Sequence, residues 1–426
     1  MKTDEIQLDD RPFDLTKYIL LALIGSAIYL LPYARVYFYD QMVGYLGFTP
    51  IQFGTVLAIY GVTSTIGTFC SGILADRYSC KWLMVISLIA TAIGGIALVT
   101  QPSYYEFLGI YILWGLSITL TYNSAQYKAV RYVGSSKQQG KLFGSAIGLQ
   151  FMGGGILAML GATVFAYFSA ESGEKGFTSV IWFYVLLHFI IALAVIAFWK
   201  KDKPLADDEK WRPKDAISVL KHPATWYLGF IIYFVYAMRR CLDMAAPYMG
   251  QVMGIDESAN VYLASFRDLA FPLIGGVLAG ILMDRSKYKI RICQCSIALS
   301  GLAFMGMYFV PVHGDIWQVV FYAALGVALT MQSGAYLTAY SLLEISNVPK
   351  KITGSIIGVS ISIGYLPDIS INYLSNYLVD TYGFEHGCQY VFLVAAGHAV
   401  MAVILYSLFN RYLGRLRSKN KVRAAA

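Results

Sequence analysis

Four arginines stand where a charge is hardest to keep. Arg35, Arg239, Arg240 and Arg267 each lie inside an apolar run long enough to cross a bilayer, where a charge costs roughly 2.5–3.5 kcal/mol on insertion scales. Packing alone does not repay four such penalties. Guanidinium forks grip oxyanions through paired, charge-assisted hydrogen bonds. Arg35 and Arg239 occupy equivalent segments of the two halves and predict an anion clamp facing one cavity, with Arg240 a further contact. The same stretches also offer internal neutralisation. Asp243 follows Arg239 by four residues and Arg240 by three, the spacing of a same-helix ion pair, while Asp268 and Asp368 are available to Arg267 or Arg35 across helices. Both readings, substrate contact and charge pair, stay open here. Tyr33 and Tyr236, a turn from an arginine, suit the wall of a cavity for a sugar-like organic anion. Gln126 and Gln332 serve either as ligand contacts or as glue between helices.

Composition narrows the class. Of 426 residues, 57% are hydrophobic and 14% charged, against about 25% charged in soluble domains, and mean hydropathy is +0.57. Too few charges are present to cover a soluble globule, so the bilayer must cover it. Nucleic acid is not implied by the net charge of +8, because the basic residues sit in short loops between apolar runs. The six cysteines show no CxxC pair, the five histidines no HExxH, and neither a Walker nor a GxSxG motif occurs. These patterns predict no cofactor, no metal site and no enzyme chemistry. The polar residues 1–14 lack the form of a cleavable signal peptide.

Twelve stretches approach the ~20 apolar residues a spanning helix needs: 16–39, 51–74, 82–100, 104–127, 142–168, 177–199, 224–249, 259–283, 290–311, 316–343, 354–379 and 388–411. The predicted class is an all-α integral membrane protein with two homologous six-helix bundles. The bundles are 1–199 and 224–411, joined by a loop at 200–223 and followed by a basic tail at 412–426. With the N-terminus inside, 28 of the 33 Lys and Arg fall on the cytoplasmic side, and Lys175 is the lone basic residue in the opposite loops. Both termini are therefore expected in the cytoplasm.

Gly72–Lys81 reads GILADRYSCK and Gly280–Lys289 reads GILMDRSKYK, six of ten positions identical at an offset of 208 residues. Each copy lies between the second and third spans of its half, which marks an internal repeat. Gly72 and Gly280 are expected to allow close packing near a helix end. Asp76 and Asp284 are expected to cap the following helix, and Arg77, Lys81, Arg285 and Lys289 to face the anionic leaflet.

This doubled pattern resembles the G-x-L-x-D-R-x-x-x-K loop signature of the major facilitator superfamily. The resemblance implies two bundles that expose a central cavity to each side in turn, latched by these loop residues, with Asp76 and Asp284 as gate rather than substrate residues. Pro32–Asp40, Val235–Met249 and Leu342–Gly358 resemble the organophosphate:phosphate antiporters of that superfamily. Ile363–Pro367 and Gln138–Gly144 are similar to bacterial permeases for sulfo-sugars such as sulfoquinovose. The expected activity is secondary transport of a small phosphorylated, sulfonated or carboxylated metabolite, without a nucleotide-binding domain. A proton symporter would titrate Asp243 or Asp368, whereas an antiporter would use a counter-anion. Rival readings are a transporter-like sensor, or a carrier of neutral sugar or lipid with structural arginines. The resemblance further implies a bacterial inner membrane, with the bilayer and an anionic small molecule as partners, and the twelve-span topology without soluble domains predicts that a monomer works alone.

Overall fold

The computed structural model describes residues 13–134, 139–200, 219–286, 288–339 and 350–425, and their regular structure is helical, with no strand among them. Several predicted spans are single helices: Pro50–Arg77, Cys80–Leu98, Gln139–Ser169, Gly173–Phe198, Glu257–Arg285, Lys289–Phe309 and Asp315–Thr338. Local chemistry fixes their starts. Thr49 Oγ1 accepts from Gln52 N at 3.3 Å while Gln52 Oε1 accepts from Thr49 N at 3.0 Å, with Pro50 in the first turn, a capping box. Ser103 donates its hydroxyl and its backbone N–H to Glu106, both at 2.8 Å. The eighth span buries 22% of its apolar window, and Leu273, Ile274, Val277, Leu278, Ile281 and Leu282 are all exposed. Such an apolar surface is stable against lipid and not against water.

Four of the remaining spans are broken, three of them at proline. Proline has no N–H for the carbonyl four residues back and presses its ring on it. In the first span the helix Leu15–Ala27 stops at Ile28, four residues before Pro32, and resumes as a 3-10 turn over Ala34–Val36. In the seventh, Pro223–Cys241 gives way to a 3-10 turn at Leu242–Met244, around the position four before Pro247, then to a π segment at Tyr248–Val252. In the eleventh, Lys350–Gly364 ends and Pro367 opens a new helix. Gly383, at φ 78°, separates that helix from the twelfth span. The fourth span breaks without proline. Between Tyr104–Leu116 and Ser124–Arg131 it widens to a π segment, Ser117–Asn123. There Thr119 Oγ1 donates to Gly115 O at 2.6 Å and Ser87 Oγ to Ser117 O at 2.7 Å, hydroxyls competing for the ladder's carbonyls.

The chain folds as two compact units. The first runs to Trp211 and includes Ile255–Leu269, and the second comprises Arg212–Gly254 and Ala270 onward. Each unit carries, among its close glycine contacts, a tight crossing of its second and fourth spans. In the first, a side chain at Gly67 would run into Thr119 Oγ1 and one at Gly115 into Thr63 Oγ1, so the second and fourth spans touch. In the second, a side chain at Gly275 would run into Thr330 O and one at Gly334 would lie 2.9 Å from Gly275 O, joining the eighth and tenth. Gly67 and Gly275 are 208 residues apart, the offset of the repeated loop motif. Gly280 corrects the expectation of close packing: a Cβ there meets nothing within 4 Å, because its neighbours Val277 and Ile281 point outward.

Candidate functional site

In the second unit, the seventh and eleventh spans meet at their breaks. Arg239 Nη1 donates to Asp243 Oδ1 at 3.3 Å, and Arg240 Nη1 lies 3.0 Å from Asp243 Oδ2. Arg240 also reaches across to the eleventh span, its Nε 3.8 Å from Asp368 Oδ1. The Tyr236 hydroxyl donates to the same Asp368 carboxylate, 3.1 and 3.2 Å from its two oxygens. Arg240 also lies 5.1 Å from the Tyr236 ring centre. Asp368 follows the break directly, so its side chain is delivered by the first turn of one helix to the last turns of another. Asn372 Nδ2 donates to Asp368 O at 2.8 Å, and Asn376 to Asn372 O, extending a buried polar stripe along the eleventh span.

Two arginines and two aspartates make this cluster formally neutral. Its members differ in access: the Arg239 side chain is 17% exposed and the Arg240 side chain 5%. Beside them Tyr365 and Tyr336 share a hydroxyl contact of 3.0 Å, and their rings lie 4.9 and 6.0 Å from that of Tyr236. Three tyrosines thus form an aromatic shelf with hydroxyls at its edge, suited to the C–H faces and hydroxyls of a polyol. Gln332, buried on the tenth span, donates to Val235 O at 2.9 Å. It holds the seventh span in place.

In the first unit, Arg35 sits on the 3-10 turn that Pro32 creates, buried, with its guanidinium 4.8 Å from the Tyr33 ring centre. Tyr33 continues a run of edge contacts to Tyr29 at 5.9 Å and Tyr60 at 6.0 Å. Tyr111 donates its hydroxyl to Pro32 O at 3.3 Å, satisfying a carbonyl at the break. Gln126 donates to Gln150 Oε1 at 2.8 Å, and that pair sits against Gly25, the geometry of helix–helix glue. Arg267, on the eighth span, is buried, and its Nε lies 3.3 Å from Asp268 Oδ1. Of the two routes open for Asp268 and Asp368, the structure pairs Asp268 with its sequence neighbour and Asp368 with Arg240.

The gate motif divides. Lys81 Nζ donates to Ile196 O at 2.7 Å, satisfying a carbonyl in the last turn of the sixth span. Arg285 is exposed and Lys289 half-buried. The side chains of Asp76, Arg77 and Asp284 and the surroundings of Gly72 lie outside the described residues, as do the central loop at 201–218 and residues 340–349.

Tyr336 and Tyr365 were absent from the ligand set expected from sequence, although a signal for the second was there. Four prolines away from the ends of their spans each have an embedded charge within four residues: Pro32 with Arg35, Pro247 with Asp243, Pro272 with Asp268, Pro367 with Asp368. Broken helices with polar groups at the break are how membrane carriers build sites at mid-depth, and Tyr365 lies in such a break.

A family model described as Major Facilitator Superfamily matches residues 18–371. The chain is 27% identical over 427 residues to "Inner membrane protein YihN" of Escherichia coli K12, covering 96% of this chain and 98% of that one. It is 22% identical to the "Glycerol-3-phosphate transporter" of Bacillus subtilis 168, covering 85% and 84%. The crystal structure of a bacterial homologue of the human lysosomal transporter Spinster, inward-facing and unoccupied, superposes with a TM-score of 0.77. That match has 11% identity and covers 95% of this chain and 99% of the other.

Proposed function

The chain belongs to the major facilitator superfamily of membrane transporters, and on that premise we propose that it is a secondary carrier of a small organic anion bearing a phosphate, sulfonate or carboxylate. The observation that carries this reading is the access of Arg239. Within an apolar span its side chain stays 17% exposed, against 5% for Arg240 beside it, and a charge kept open at membrane depth marks a functional position. An oxyanion is the ligand that a guanidinium fork grips best. The relative that carries glycerol 3-phosphate favours the same class. Arg239, the more open of the paired arginines, is the anchor in its unit and Arg35 in its own. The tyrosine shelf takes the hydroxylated body of the substrate. No residue in the cluster resembles a site for hydrolysing nucleotide, so alternating access is driven by a proton or counter-anion gradient, in a bacterial cytoplasmic membrane.

A second reading rests on the same cluster. Arg239 and Arg240 already have Asp243 and Asp368, so a neutral polyol resting on the tyrosines would leave every arginine structural. Thermal-shift measurements on detergent-purified protein separate the two, with sugar phosphates, sulfonates, carboxylates and neutral sugars tested on wild type, Arg35→Ala and Arg239→Ala. The anion reading expects stabilisation by a phosphate or sulfonate that both variants lose. Stabilisation by neutral sugars alone, or variants that respond like wild type, would overturn it.

A further inference from the structure

We propose that the groove at the Arg285–Arg291 end of the eighth, ninth and tenth spans binds one anionic phospholipid. The groove has a volume of about 470 Å³ and lies wholly within the second unit. Its mouth is polar. Ser286 Oγ accepts from Tyr288 N at 3.0 Å, and the Arg291 guanidinium lies 5.2 Å from the centre of the Tyr288 ring, itself 65% exposed. Its wall is apolar, formed by Leu282, Leu299 and Met331 from three different spans.

The order of these groups specifies the ligand. Arg291 and Leu299 are both on the ninth span, eight residues apart, about 12 Å along the helix at ~1.5 Å per residue. Over that distance the lining passes from cation and hydroxyl to hydrocarbon, as a phospholipid does from headgroup to acyl chain. Charge agrees: residues 284–291 carry Arg285, Lys287, Lys289 and Arg291 against the single acid Asp284, and clustered basic residues at a membrane edge select anionic headgroups. Leu282 and Leu299 on the lip are exposed, so the groove opens toward the acyl chains. A soluble phosphate would use the mouth and leave the apolar wall wet. A lipid uses both.

Cys295 lines the groove and is exposed, whereas Cys80, Cys241, Cys293 and Cys388 are buried, so its alkylation reports occupancy. The full chain in detergent micelles is treated with N-ethylmaleimide and the Cys295 peptide followed by mass spectrometry. Phosphatidylglycerol in the micelle should slow labelling several-fold relative to phosphatidylcholine, while inorganic phosphate should have no effect. Arg291→Gln should remove the difference between the lipids without changing the unfolding temperature. Equal rates in the two lipids would overturn the proposal. So would protection by inorganic phosphate alone, or persistence of the lipid difference in Arg291→Gln. None of these outcomes depends on what the protein carries.

Discussion

Arg240 lies between two carboxylates, 3.0 Å from Asp243 and 3.8 Å from Asp368, with 5% of its side chain exposed. Arg239 lies 3.3 Å from Asp243 and is 17% exposed. Removing one partner of a buried pair leaves the other charge uncompensated, at about 3–5 kcal/mol. Arg240→Gln should therefore lower stability by that order in a denaturant titration. Adding Asp368→Asn should recover part of the loss, since Asp243 keeps Arg239 while Asp368 loses its ion pair. Arg239→Lys should behave differently. It keeps the charge against Asp243 and loses the planar fork, so stability should hold while anion affinity falls about tenfold, the worth of roughly 1.4 kcal/mol. Equal destabilisation by both substitutions would mean that the two arginines share one structural role. The charges themselves were legible in the sequence, because an arginine in an apolar run needs no alignment to be noticed. The spacing of Asp243 gave its pair too. The Arg240–Asp368 contact was not legible, since it joins residues 128 positions apart and depends on how two helix breaks meet.

At the scale of the helix, proline explains most of what hydropathy missed. Hydropathy locates a span and says nothing of its continuity. Pro32, Pro247 and Pro367 then place the breaks that put Arg35 and Asp243 on 3-10 turns and Asp368 in the first turn of a new helix. The rule has an exception: Pro272 sits inside the helix Glu257–Arg285 without ending it. The π segment at Ser117–Asn123 has only its run of hydroxyls as a sequence signal. Glycine divides in the same way, and packing decides. Gly275 lies against the backbone of Thr330, while Gly280, in the repeated motif, faces open space. Overpacking a close backbone contact costs about 1–3 kcal/mol. Gly275→Ala should lower the unfolding midpoint accordingly, and Gly280→Ala should stay within about 0.5 kcal/mol of wild type. If Gly280→Ala proved the more damaging, the crossing of the eighth and tenth spans would be misassigned.

For the whole molecule, the repeat at a 208-residue offset appears as the loop motif in the sequence and as the pair Gly67 and Gly275 in the structure. Both units use the second and fourth spans of their half for the tight crossing, so the duplication extends to packing. Twelve crossings nonetheless require the broken spans to traverse the bilayer. The seventh is the critical one, since it carries Arg239, Arg240 and Asp243 and consists of one 19-residue helix followed by three short pieces. Ser172, which caps the sixth span, and Ser286, which follows the eighth, are separated by the sixth, seventh and eighth spans. Three crossings put these two positions on opposite faces of the membrane, and two would put them on the same face. Irregular backbone survives at membrane depth only where protein or a wet cavity satisfies it, as Gln318 does for Met253 O at the end of the π segment, 2.9 Å away. A single cysteine at each position, in a background with the native cysteines replaced, reads the answer in whole cells with a membrane-impermeant maleimide. Ser172→Cys should label directly, and Ser286→Cys only after permeabilisation, because the basic residues of 285–291 hold their loop inside. Labelling of both from the same side would remove the seventh crossing, and with it the assignment of Arg239 to a transport pathway.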